Sequence, residues 1–160
     1  MIMPRDISDG SLINTPFAID VNSVSALEKH RLRPGEILIV NKGFKFGTFL
    51  YEGIPEKAIA TSSFFVITPN PQKLVSRFLL WYLNQPPARE YFSKSAFGST
   101  IPSIPLNVLA NLKVPEVSLD IQSYIGDLLV EMQMEQYLMK ELTVKREAFF
   151  NSHIWEQISK

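Results

Sequence analysis

The chain has 160 residues, 46% of them hydrophobic, enough for the core of one domain with sequence left over for a projecting element. It has no Cys, which excludes disulfides and thiolate metal sites and favours a reducing, cytoplasmic setting, and no apolar run is long enough to cross a bilayer. Formal net charge is zero, yet residues 1–118 hold 12 Lys/Arg against 9 Asp/Glu and residues 119–160 hold 4 against 7, so a basic part precedes an acidic one.

Residues 1–35 read as irregular, with turn signals at Asp9-Gly10 and Pro34-Gly35 and a short helix over 24–30 opened by Ser23. Residues 36–40, 46–51 and 59–67 are rich in β-branched and aromatic side chains and predict strands, separated by Gly43, Gly47, Gly53 and Pro55. Asn70-Pro71 predicts a helix start, and Leu74, Val75, Phe78, Leu79, Tyr82 and Leu83 recur at helical spacing until Pro86-Pro87. A second short helix is expected over 88–94, and Ser103 is read as the cap of another over 106–109. Strands and helices alternate without a βαβ repeat. The expected fold is therefore α+β: a small mixed or antiparallel sheet with short helices, followed by one long C-terminal helix.

That last helix changes the character of the chain. With Ser118 as N-cap and Asp120 in the first turn, nothing beyond Gly126 interrupts a helix from 119 to about 158, roughly 60 Å at ~1.5 Å per residue. Ile121, Ile125, Leu128, Met132, Met139, Leu142 and Phe149 follow alternating three- and four-residue steps, broken by Glu135 and Arg146, as in a coiled coil. One small head covers only its first turns. The expectation is a division into a globular domain over 1–117 and, over 118–160, a helix for dimerisation or subunit docking, with Ile125, Leu128, Met132, Met139 and Leu142 as the interface.

Five blocks stand in an informative order: Pro4-Arg5-Asp6-Ile7-Ser8-Asp9-Gly10, Leu32-Arg33-Pro34-Gly35-Glu36-Ile37-Leu38-Ile39, Ala60-Thr61-Ser62-Ser63-Phe64-Phe65-Val66-Ile67-Thr68-Pro69, Ala96-Phe97-Gly98-Ser99-Thr100-Ile101-Pro102-Ser103-Ile104, and Val117-Ser118-Leu119-Asp120-Ile121-Gln122-Ser123-Tyr124-Ile125. Leu112-Lys113-Val114-Pro115 links the last two. In this order they resemble the target-recognition domain of type I restriction-modification specificity subunits. The resemblance spans almost the whole chain, with Gln122 and Ile125 at the positions that characterise the family's helix-opening segment. It implies a non-catalytic module that reads double-stranded DNA. It also implies partners, a methyltransferase subunit and a translocase or nuclease subunit, which would use S-adenosylmethionine and ATP; no cofactor is expected on this chain. Family domains usually carry a further segment ahead of the Arg-Asp-Ile block, and whole subunits pair two recognition domains through two long helices. One of each here resembles a half-subunit or truncated form, expected to form a homodimer through its helix.

Candidate DNA contacts lie in loops near strand ends. Asn41-Lys42-Gly43-Phe44-Lys45-Phe46-Gly47 sets two lysines and two aromatics between glycines, a pattern suited to phosphate contact and groove insertion and equally to a solvated hairpin. The resemblance decides for Lys42 and Lys45 as contacts, because this segment follows the strand that in the family leads toward DNA. Ser62 and Ser63 offer hydroxyls ahead of the Phe-Phe-Val strand, and Lys94, Ser99 and Thr100 flank Gly98.

Catalytic patterns are missing. His30 and His153 stand far apart, no acidic residue lies two positions before any Lys, and no glycine-rich loop ends in Gly-Lys-Ser/Thr. Asn84-Gln85-Pro86-Pro87-Ala88 approaches an adenine-methyltransferase signature, but Ala88 stands where an aromatic would stack the base. Two rival readings differ in kind. One is a truncated specificity-like protein that pairs through its helix without binding DNA; the other is a recognition domain excised from a single-chain restriction-methylation enzyme.

Overall fold

A computed structural model describes residues 1–8, 11, 12, 16, 18, 30–98 and 100–159. The Asp9-Gly10 turn, Ser99 and, apart from His30, the helix expected over 24–30 fall outside the described residues. The chain forms two compact units, Met1–Gly126 and Asp127–Lys160.

In the first unit, β1 (Ile7–Ser8) pairs antiparallel with β2 (Ser11–Leu12) after a 3-10 turn over Pro4–Asp6. β3 (Ile37–Val40) is the centre of a three-stranded antiparallel sheet, flanked by β4 (Thr48–Leu50) and β5 (Phe64–Ile67). The register sets Leu38 opposite Phe49 and Val66, and Ile39 opposite Thr48 and Phe65. All four β3 side chains are buried, as an unbroken aliphatic run in a central strand requires. Leu38 and Val40 join Ile2, Leu32, Phe49, Tyr51, Ala58 and Phe64 in one core cluster, while the pleat turns Ile37 and Ile39 to the opposite, equally buried face. The fold is α+β, as expected.

Strands are shorter than the sequence predicts. Ile59 and Ala60 do not join β5; they form single bridges with Arg31 and Ile2. Glu36 ties the entrance of the sheet to its far edge: one carboxylate oxygen accepts from the Arg33 amide at 2.8 Å and the other from the Thr68 hydroxyl at 2.9 Å. This is what the Pro-Gly-Glu block does physically.

Four helices follow: α1 (Ser76–Leu83), α2 (Pro86–Ser95), α3 (Leu106–Ala110) and α4 (Leu119–Ile158). Asn70 does not open α1. Its Oδ1 accepts from the Gln72 amide, closing a local turn, and the helix begins at Ser76, after the Val75 amide has been taken by a side chain of α4. Pro86 and Pro87 end one helix and begin the next, where their missing amide hydrogens cost nothing. Ser103 is not the cap of α3, whose N-cap is Pro105; its backbone is engaged in bridges instead.

The start of α4 is fixed within the first unit by Gln122, which is buried. Its Oε1 accepts from the Val75 amide at 2.8 Å, and its Nε2 donates to the carbonyls of Val117 at 2.9 Å and Lys73 at 3.2 Å. One turn later Gly126 lies against α1; a Cβ there would stand 2.9 Å from the Arg77 Cβ, so only glycine permits the approach. In the second unit, Leu128, Met132, Met139 and Leu142 are exposed, as are Val130, Met134 and Leu138.

Candidate nucleic-acid interface

β3 ends at Val40, and three segments converge on the next residue, Asn41. Its backbone amide donates to the Ser63 carbonyl at 2.9 Å, its carbonyl accepts from the Ile104 amide at 2.9 Å, and its Nδ2 donates to the Ser62 carbonyl at 3.1 Å. The loop after β3, the turn before β5 and the segment before α3, distant in sequence, are thereby joined at one buried amide. Asn41 is 8% exposed, and its Oδ1 accepts no hydrogen bond from any described residue.

The segment before α3 is a tight hairpin. Phe97 and Ser103 exchange both backbone hydrogen bonds, at 3.0 and 2.8 Å. The intervening turn depends on Gly98, whose φ of +112° is adverse for other residues and where a Cβ would meet the Ile101 carbonyl oxygen at 2.8 Å. Ser103 also bridges Lys42 on its other side, flanked by bonds from the Gly43 amide to the Pro102 carbonyl at 2.8 Å and from the Ile104 amide to the Asn41 carbonyl. Lys42, Ser103 and Phe97 thus stand side by side across three short extended segments.

Of the residues singled out in the sequence, this arrangement gathers Lys42, Ser62, Ser63 and the hairpin that carries Thr100. Lys42, Lys45, Ser62 and Thr100 are exposed and Ser63 is half-buried. Lys45 lies three residues beyond Lys42 on the same loop. Lys94 lies in the last turn of α2, just ahead of the hairpin, and is paired at 3.0 Å with Glu90, one helical turn back. Ser99 lies outside the described residues. Sequence reasoning missed Asn41, because its role depends on segments brought in from afar, and read Ser103 as a helix cap because only local spacing was visible. Phe97 and Phe44, both exposed, lie in the two joined loops.

Asn84, in the methyltransferase-like Asn-Gln-Pro-Pro run, is a joint of the fold. Its Nδ2 donates to the Thr48 hydroxyl at 2.7 Å and to the Leu80 carbonyl, and its Oδ1 accepts from Arg89. Among the described residues no group of three or more His, Asp or Glu is placed to hold a metal ion, and no helix is long and apolar enough to cross a membrane.

No curated protein sequence matches the chain significantly. A family model described as the type I restriction modification DNA specificity domain matches residues 13–144, which take in the three-stranded sheet, the joined loops, the short helices and α4 as far as Val144. The chain belongs to the family of type I restriction modification DNA specificity domains.

Proposed function

We propose that the unit Met1–Gly126 reads a sequence in double-stranded DNA through the loops joined at Asn41, and that α4 carries it into a complex with methyltransferase and nuclease or translocase subunits in the cytoplasm. The observation that carries this reading is the convergence of Lys42, Ser62, Ser63 and the Phe97–Ser103 hairpin on one buried amide, in a chain of a DNA specificity family. A surface for DNA needs cations for phosphates and rigid short side chains for base edges, and these loops offer both. Lys42 and Lys45 serve the phosphates; Ser62, Ser63, Ser99 and Thr100 supply hydroxyls; Lys94 flanks them. The chemistry of methylation and cleavage belongs to the partner subunits.

Titration of labelled duplexes at several salt concentrations tests the reading. Replacing Lys42 and Lys45 together by Ala is expected to weaken binding to all sequences and to flatten log affinity against log salt by about 2, one for each lost phosphate contact. An unchanged slope removes this loop from the interface.

The exposed apolar side chains of α4 favour assembly as its second role. Leu128, Met132, Met139 and Leu142, with Ile125 half-buried at the start, form a stripe of a kind uncommon on a soluble monomer. We assign it to an antiparallel pairing with a second copy or with the helix of a partner subunit.

A further inference from the structure

We infer that Phe97 determines specificity within the proposed DNA-reading surface, meeting the methyl group of a thymine in the major groove while Lys42 holds the flanking phosphate; this rests on the DNA-reading function proposed above. Residues directly opposite one another on antiparallel segments project to the same face. The bridges Lys42–Ser103 and Ser103–Phe97 therefore place a cation, a hydroxyl and an aromatic ring in one row. The Phe97–Ser103 pair exchanges both hydrogen bonds, whereas Lys42–Ser103 is flanked by its bonds, so the two Cα separations are about 5.5 and 4.5 Å and the row is about 10 Å across. Within that row the Phe97–Ser103 hairpin is itself a two-stranded ribbon, an element the roughly 12 Å major groove admits, with Lys42 on the segment beside it.

The row is presented rigidly. Phe97 is held by its own backbone on Ser103, Gly98 locks the turn behind it, and Ser103 is held by the loop of Lys42. Yet Phe97 is 67% exposed. An exposed aromatic side chain on a backbone held by two hydrogen bonds to Ser103 adds little to the core; its use lies in what it meets. The neighbouring Lys42 ammonium selects a polyanion over an apolar protein face, and among base edges in the major groove the thymine methyl is the apolar one.

The test selects duplexes from a random pool with the full chain, alone and with the methyltransferase subunit, and then measures affinity for the selected site with thymine or deoxyuracil, which lacks the methyl, at each position. Wild type is expected to lose about fourfold in affinity at one thymine, the scale of one buried methyl group. Phe97→Ala should lose a similar factor for the thymine site and become indifferent to the exchange, while Phe97→Leu keeps most of the preference. Unchanged melting of Phe97→Ala, expected for an exposed ring, separates this effect from misfolding. A selected site without thymine, or Phe97→Ala retaining the wild-type response to deoxyuracil, overturns the inference and leaves DNA reading intact. Phe97→Ala that binds DNA normally but no longer associates with the methyltransferase subunit also overturns it and makes this a protein-facing surface. Wild type that selects nothing in either setting overturns the DNA-reading function itself.

Discussion

Asn41 donates its Nδ2 hydrogen to the Ser62 carbonyl at 3.1 Å, while its own Oδ1, buried beside it, accepts from no described residue. One side chain therefore stabilises and costs at the same place. Asn41→Ala removes a hydrogen bond worth about 1 kcal/mol but also removes a desolvated acceptor, so global stability should fall by about 1 kcal/mol or less in urea titration. The local effect should be larger. The loops lose the side-chain tie from Asn41 to Ser62, and hydrogen exchange at the Gly43 and Ile104 amides, which bond across the same junction, should accelerate well beyond the global change.

Gly98→Ala tests the hairpin. The new methyl would stand 2.8 Å from the Ile101 carbonyl oxygen at a φ of +112°, so the turn must open or shift. A cost of about 2 kcal/mol is expected for a side chain in that backbone region. Because the hairpin lies at the edge of the unit, thermal melting should move by only a few degrees while the paired Phe97 and Ser103 amides lose exchange protection. Retained protection at both amides would show that the turn tolerates a side chain.

Gln122 offers a pH test. Gln122→Ala leaves the Val75 amide and the Lys73 and Val117 carbonyls without their partner and should cost about 3 kcal/mol, three modest hydrogen bonds with buried groups left unpaired. Gln122→Glu keeps the acceptor for Val75 but turns an oxygen toward two carbonyls. The protonated acid can still donate one bond and the carboxylate none, so burial and those carbonyls raise the introduced carboxyl's pKa in the folded state above the ordinary ~4.3 of Glu. Stability of this variant is then greatest below that ordinary value and is lost as pH rises through the folded one. Denaturation midpoints measured from acid to neutral pH should fall for Gln122→Glu relative to wild type.

The helix is tested by mass. Glu135 and Arg146 interrupt the apolar stripe eleven residues apart, and an antiparallel pairing can set the Glu of one copy against the Arg of the other. Light scattering of wild type at high micromolar concentration should give a dimer, and Leu128→Lys with Met139→Lys a monomer. A wild type that stays monomeric and ignores the methyltransferase subunit ends the assembly proposal.

What the sequence revealed follows the range of the interactions involved. The aliphatic run 37–40, the proline break between α1 and α2 and the uninterrupted helix from 119 are each set by neighbours a few residues away, and the residues themselves announced them. Asn70 and Ser103 misled for the same reason: each is a good local cap, but Gln122 claims the Val75 amide from 47 residues away, and Phe97 takes both backbone groups of Ser103. At the candidate interface, Lys42, Ser62 and Ser63 were recognisable by type. Their meeting at Asn41 was not, since the bond to Ser62 spans 21 residues and no local pattern records it.

The hydrogen bonds of the Gln122 side chain to described residues all end on backbone: one amide and two carbonyls. Its grip on Lys73, Val75 and Val117 asks nothing of the side chains those positions carry, only that the chain turn there in the same way. The socket is thus defined by geometry rather than by residue identity. A first unit of quite different loop sequence that preserved this turn is expected to accept Gln122 in the same way, so the loops are free to vary without loosening the joint that starts α4.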